Sequence, residues 1–135
     1  MKSFEELTEQ EILALAISSE EEDGRTYADF AEGLREEHPD TARVFSDMAT
    51  EEDEHRRSLI DLYSSKFGNH IPLVRRQDVR GFVQRKKLWQ VRLQGIEAVR
   101  QQARQMEQDA GRFYQLADSG DCGQGFRLNA TMHSD

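Results

Sequence analysis

The chain is short of the residues that staple, kink or anchor a protein. Its single cysteine, Cys122, excludes an intrachain disulfide framework and makes a reducing cytoplasm the expected location. Only two prolines, Pro39 and Pro72, interrupt the backbone. The longest apolar run, Ile12 to Ile17, has six residues, far fewer than the roughly 20 a membrane-spanning helix needs. The first residues are acidic and offer no signal-peptide core. Basic residues are also scarce relative to acids, 18 against 26, for a net charge of −8 and a pI near 5.0. That balance argues against a nucleic-acid binder. The chain's 135 residues suit one domain, and 33% charged residues suit a mostly helical soluble protein.

The charge that is present is unevenly spread. Residues 1–37 carry twelve acids and three bases, whereas residues 68–95 carry seven bases and one acid, Asp78. A basic stretch of this kind can meet a phosphate or an anionic surface. The reading favoured by the acidic whole is that it lies over the acidic helices of its own fold or of a partner chain.

Hydrophobic periodicity predicts three long helices. Thr8 followed by Glu11 has the form of a capping box that opens the first. This helix should run to about Glu37, where His38-Pro39 stops it, because a residue before proline avoids the α region. Its seam is Leu13, Ile17, Glu20, Gly24, Tyr27, Ala31 and Leu34, in alternating steps of four and three. Asp40 is the expected cap of the second helix, which reaches about Phe67 before Gly68. The second seam is Thr41, Phe45, Met48, Glu52, His55, Leu59 and Leu62. So short a connection implies an antiparallel hairpin. Residues 68–95, bracketed by Gly68, Pro72, Gly81 and Gly95, read as a crossover, with a short helix expected near Arg76 to Arg85. A third helix is expected over Ile96 to Ala117. Residues 118–135, with Gly120, Gly123 and Gly125, read as an irregular or disordered tail beyond a domain spanning 1–117.

Two seams carry residues that do not belong in a core. Glu20 interrupts the first, and Glu52 and His55 interrupt the second. Buried carboxylates are paired or bind metal, and residues three apart on a helix converge on one point. A Glu-x-x-His in so acidic a stretch arises easily by chance; its place on the seam is the stronger signal. The chain also repeats itself. Ala16, Glu20, Gly24-Arg25 and Tyr27 match Ala103, Glu107, Gly111-Arg112 and Tyr114 at an offset of 87. Four-helix carboxylate bundles hold two metal ions with one Glu from each of two helices and a Glu-x-x-His from each of the other two. Glu20, Glu107 and the Glu52/His55 pair supply four of those six ligands. Carboxylates with imidazole suit iron or manganese, and zinc also fits. Tyr27 and Tyr114 stand either as hydrogen-bond donors to ligand carboxylates or as an aromatic core layer.

At these residues the sequence resembles the rubrerythrin branch of the ferritin-like superfamily. The likeness covers about residues 8–117. It is closest to the N-terminal domain of bacterial membrane-bound ferritins, in which a vacuolar-iron-transporter-like domain follows. Phe4-Glu5-Glu6-Leu7-Thr8, Gly68 with Ile71-Pro72-Leu73, and Arg75-Arg76-Gln77-Asp78-Val79 before Gly81-Phe82 carry it. The resemblance implies an all-α ferritin-like helical bundle and a non-haem di-iron site held by Glu20, Glu52, His55 and Glu107. It also implies redox chemistry of Fe(II) with oxygen or hydrogen peroxide.

The repeat also marks a departure. Adding 87 to Glu52 and His55 points to positions 139 and 142, beyond residue 135, so the second Glu-x-x-His and its helix are expected to be missing from this chain. A homodimer that pairs two copies of Glu20, Glu52 and His55 about a two-fold axis, leaving Glu107 peripheral, would repair the ligand count. Two functions therefore stand: a di-iron oxidoreductase of ferroxidase or peroxidase type for iron handling and oxidative-stress defence, or a non-catalytic helical assembly module that has lost half its ligands. No Cys-x-x-Cys pair is present, which excludes a rubredoxin-type electron-transfer centre.

Overall fold

The computed structural model describes residues 2–80, 91 and 94–118. Three long helices dominate them: α1 (Glu9–Leu34), α2 (Pro39–Phe67) and α3 (Ile96–Asp118). The architecture is all-α, apart from one two-residue parallel pairing between β1 (Lys2–Ser3) and β2 (Val79–Arg80).

α1 opens with the expected capping box. Thr8 Oγ1 accepts from Glu11 N at 3.1 Å, and Glu11 Oε1 accepts from Thr8 N at 3.0 Å, satisfying two otherwise unpaired donors. The helix closes three residues earlier than the proline alone requires, and Arg35–Glu37 form a turn. His38, not Asp40, is the cap of α2. Its φ of −138° and ψ of 66° are non-helical, as the following proline demands, and Pro39 takes the first helical position, where it has no N–H to leave unpaired.

α1 and α2 lie antiparallel. Lys66 reaches Glu9 at 2.6 Å at one end of the hairpin, and Phe30 meets Phe45 with ring centroids 5.2 Å apart at the other. The Ile12–Ile17 run is buried throughout, at 8% exposure or less. A helix apolar all round is buried all round. Here α2 supplies Leu59 and Tyr63, α3 supplies Phe113 and Tyr114, and the flanking segments supply Phe4, Leu7, Ile71, Val74 and Val79. A second apolar cluster, with Tyr27, Phe30, Leu34, Ala42, Phe45, Val99, Ala103 and Met106, fills the other end. Each fully buried large side chain contributes about 1.5–3 kcal/mol.

α3 begins near the start of α2, where Arg100 donates to Thr41 Oγ1 at 3.2 Å, and ends beside the start of α1, where Phe113 meets Phe4 edge-on at 5.8 Å. It therefore runs parallel to α2. The connection must travel back along a 29-residue helix, about 43 Å, which explains why it is long. Its first half is a strap tied to α1. Ser18 Oγ donates to Val74 O at 2.5 Å, and Arg76 donates to Glu22 and Asp23 at 2.7 and 3.0 Å. Of the bases in this stretch, Arg76 thus lies over the chain's own acidic helix, whereas Arg75 pairs with Asp78 beside it at 3.3 Å. Instead of the expected short helix, Arg76–Asp78 form a single 3-10 turn that leads into β2. The rest of that expected helix, and residues 119–135 of the expected tail, lie outside the described residues.

The two helical glycines of the repeat differ. A β-carbon built at Gly24 would stand 3.5 Å from Glu52 Cβ, whereas one built at Gly111 meets nothing within 4 Å. Gly111 therefore carries the usual cost of glycine inside a helix with no packing return. Gly111→Ala should stabilise the protein by about 1 kcal/mol, read as a higher urea midpoint at unchanged slope.

Candidate metal centre

Between the two apolar clusters lies a polar layer. α1 places Glu20 one turn beyond Ile17, and α2 places Glu52 and His55 between Phe45 and Leu59. The side chains of Glu20, Glu52 and His55 are 4%, 13% and 29% exposed. His55 Nδ1 stands 3.2 Å from Glu52 Oε1 and 3.4 Å from Glu20 Oε2. One ligand atom from each of the three residues lies within 4.8 Å of the others, close enough for all to bind one ion.

The neighbouring acids behave differently. Glu51 and Glu54 are exposed, and Asp53 pairs with Arg56 and Arg57 at 2.9 Å each. Only the seam residues turn inward, so the motif is more than the local excess of acid.

The electrostatics are those of a crowded anionic site holding protons. Burial pushes the Glu20 carboxyl up, but the His55 ring, with Glu52 and Tyr114, outweighs burial and leaves it below the ordinary value. Burial, reinforced by the charge of Glu20, pushes Glu52 up to about 8 despite the opposing effect of His55. The contacts of His55 with Glu20 and then Glu52 outweigh its burial and raise it to about 10. α3 contributes Tyr114, whose hydroxyl donates to Glu20 Oε1; burial and the Glu20 charge keep that phenol protonated. Of the two roles open to the tyrosines, Tyr114 takes that of hydrogen-bond donor, to the Glu20 carboxylate. Tyr27 is part of an aromatic layer, stacked on Phe45 at 6.1 Å.

A metal fits this donor set. Glu20 Oε2 is buried and receives no well-aligned hydrogen bond, so a lone pair is directed into the group. Two carboxylates and an imidazole are ligands for iron or manganese, and zinc is compatible. Glu107, the remaining candidate, is exposed and outside the group; Met106, fully buried, takes the inward position on α3. The repeat holds at the alanine and aromatic positions, with Ala16, Ala103, Tyr27 and Tyr114 all buried, and separates at the glutamates and the glycines.

One buried acid was not visible in the seams. Asp23 is 2% exposed and lies one turn beyond Glu20. Its burial depends on the strap, through Arg76, and not on the four-three pattern of α1.

A sequence model of the family described as Rubrerythrin matches residues 11–123. The chain belongs to the rubrerythrin family. This family is one of non-haem di-iron carboxylate proteins, and the Glu20–Glu52–His55 group lies within the matched region. Comparison with curated proteins and with solved structures returned no match. No described helix is long and apolar enough to cross a membrane.

The proton load of the site sets a pH dependence. Glu52 and His55 have folded-state values, about 8 and about 10, above their ordinary 4.5 and 6.5, so the folded metal-free protein holds protons that the unfolded chain releases. The resulting stability is complete below the unfolded values and is lost as pH rises through the folded ones. The melting temperature of metal-free protein should fall between pH 6 and pH 10. Saturating Mn(II) should flatten that fall, because the cation takes the place of the protons. Thermal unfolding at stepped pH, with and without Mn(II), checks both.

Proposed function

We propose that this chain is an iron-handling di-iron oxidoreductase module in which Glu20, Glu52 and His55 bind Fe(II) and present it to oxygen or hydrogen peroxide. The observation that carries the reading is the convergence of two carboxylates and an imidazole from two helices in the layer between two apolar clusters. Iron held by Glu20, Glu52 and His55 would supply the two electrons that, with two protons, reduce a peroxide to two waters. Bound iron supplies the redox step; the protein holds the ions, limits water and keeps positions open for the oxidant.

The chain's own residues have separate tasks. Glu20 is the anchored ligand, fixed by Tyr114. Glu52 and His55 sit nearer solvent on the same turn of α2 and give up protons as a cation enters. The group supplies three of the six ligands of the bundle pattern, enough for one ion. We propose that a second copy supplies the other three across a two-fold axis, with Glu107 peripheral. The likeness to the N-terminal domain of membrane-bound ferritins belongs to the same proposal. Two of the segments that carry it, Phe4–Thr8 and Arg75–Val79, come together through the β1–β2 pairing. The alternative, a non-catalytic assembly module, retains the hairpin but binds no iron.

Loss of a direct ligand should exceed the roughly 10–100-fold cost of losing a supporting residue around a metal. His55→Ala should therefore weaken Fe(II) binding by more than about tenfold, while His38→Ala and His70→Ala leave it unchanged. Equal binding in all three variants would overturn the ligand assignment, and a wild type that binds no iron would point to the non-catalytic module. Sedimentation of metal-free and Fe(II)-loaded protein, with iron counted per chain, should show a dimer with one iron per chain. A monomer holding two irons would require ligands from elsewhere in the chain.

A further inference from the structure

A second buried charge assembly stands against the candidate metal centre. Asp23 follows Glu20 by one turn of α1, and both carboxylates are buried, at 2% and 4% exposure. Arg76, on the turn before β2, donates from Nη2 to Asp23 Oδ2 at 3.0 Å and from Nη1 to Glu22 Oε1 at 2.7 Å. The arginine side chain is itself only 16% exposed, whereas Glu22 is 58% exposed and its charge is screened by solvent. The next residue of α1, Gly24, approaches the site closely enough that an added β-carbon would lie 3.5 Å from Glu52 Cβ. Residues three apart on a helix are neighbours on its surface, so the Asp23–Arg76 pair stands directly beside Glu20 and hence beside the ligand group.

We propose that Asp23 and Arg76 form a charge-setting positioning pair for the metal centre: the Arg76 guanidinium cancels the Asp23 carboxylate, so that an entering divalent cation meets the two negative charges of Glu20 and Glu52 alone. With one divalent cation the group is then neutral, which suits a site in a low-dielectric interior where uncompensated charge is costly. An uncancelled Asp23 would add a third negative charge within reach of the cation. An uncancelled Arg76 would add a positive one. Neither residue is a ligand; each acts through the field at Glu20 and Glu52.

The proposal makes predictions of opposite sign that a purely mechanical latch does not. It rests on the reading of Glu20, Glu52 and His55 as ligands, and the test separates the two. Mn(II) binding to the full chain is measured by titration calorimetry for the wild type, Asp23→Asn, Arg76→Gln, Arg76→Lys, the double variant Asp23→Asn/Arg76→Gln, and His55→Ala. Asp23→Asn should weaken Mn(II) binding by about tenfold and Arg76→Gln should tighten it by a similar factor, as expected for one unit charge across a partly screened interior. The double variant should return to within about threefold of the wild type, and Arg76→Lys should stay near it. If the pair were only a clamp holding the strap, both single variants would weaken binding and the double would be no better, which would overturn the proposal. Unchanged affinity in all four would overturn it as well. If Arg76→Gln fails to fold by thermal unfolding, the recovery of the double variant relative to Asp23→Asn decides on its own. Should His55→Ala bind Mn(II) as well as the wild type, the ligand assignment fails, whatever the charge variants do.

Discussion

Burial of the Glu20 carboxylate is the constraint on which the rest of this structure depends. An isolated charge at 4% exposure would be prohibitively costly, so every element around it must contribute something it can hold. α2 contributes His55 and Glu52, and α3 contributes the Tyr114 hydroxyl. Three helices are thus tied to one carboxylate. The two apolar clusters lie on either side of this layer, which explains why the core divides at the middle of the hairpin. Removing any one partner would leave the charge less satisfied than replacing the whole layer with apolar side chains would, because a partner's loss exposes the full desolvation cost.

The two buried acids of α1 show two solutions to the same problem. Asp23 is met by an arginine, a cation that does not lose its charge and that grips a carboxylate with a planar fork. That pair is closed, and its consequence is mechanical and electrostatic: it pins the strap and fixes a local charge. Glu20 is met instead by a histidine and a second carboxylate, groups whose protons are exchangeable. That assembly is open in the sense of the proposed function, in which a cation would take the place of those protons. The same chain therefore separates structural and chemical use of buried charge by the choice of partner, within a single turn of helix.

Much of this was legible in the sequence, and the misses share a cause. The capping box, the antiparallel hairpin and the α3 span follow from local chemistry and period, and Glu20, Glu52 and His55 stand out because they interrupt apolar seams. The cap of α2 differed because Pro39 at the first helical position displaces the cap by two residues from Asp40. Asp23 was missed because it is off the α1 seam and is covered by the strap, a tertiary contact with no local signature. The expected helix at Arg76–Arg85 was drawn from charge and spacing. At its start, Arg76–Asp78 instead form a turn that delivers β2 to β1, another pairing between distant parts of the chain. Periodicity reports which face of a helix is buried against its neighbours; it does not report which loop later covers the rest.

α3 shows how far a repeat can be followed. Its likeness to α1 places Glu107 where Glu20 stands, yet a repeat conserves residue types, while packing selects the face. Residues one apart on a helix differ by about 100° in direction, so a helix that buries Met106 cannot at the same time direct Glu107 to the same point. Tyr114 follows Glu107 by seven residues and stands only about 20° from it around the helix, so the two share one edge of α3; Tyr114 is buried and Glu107 is exposed because that edge is covered at one level of the bundle and not at the other. In this arrangement α3 meets the polar group through the Tyr114 hydroxyl on Glu20, and the three converging side chains all come from the hairpin.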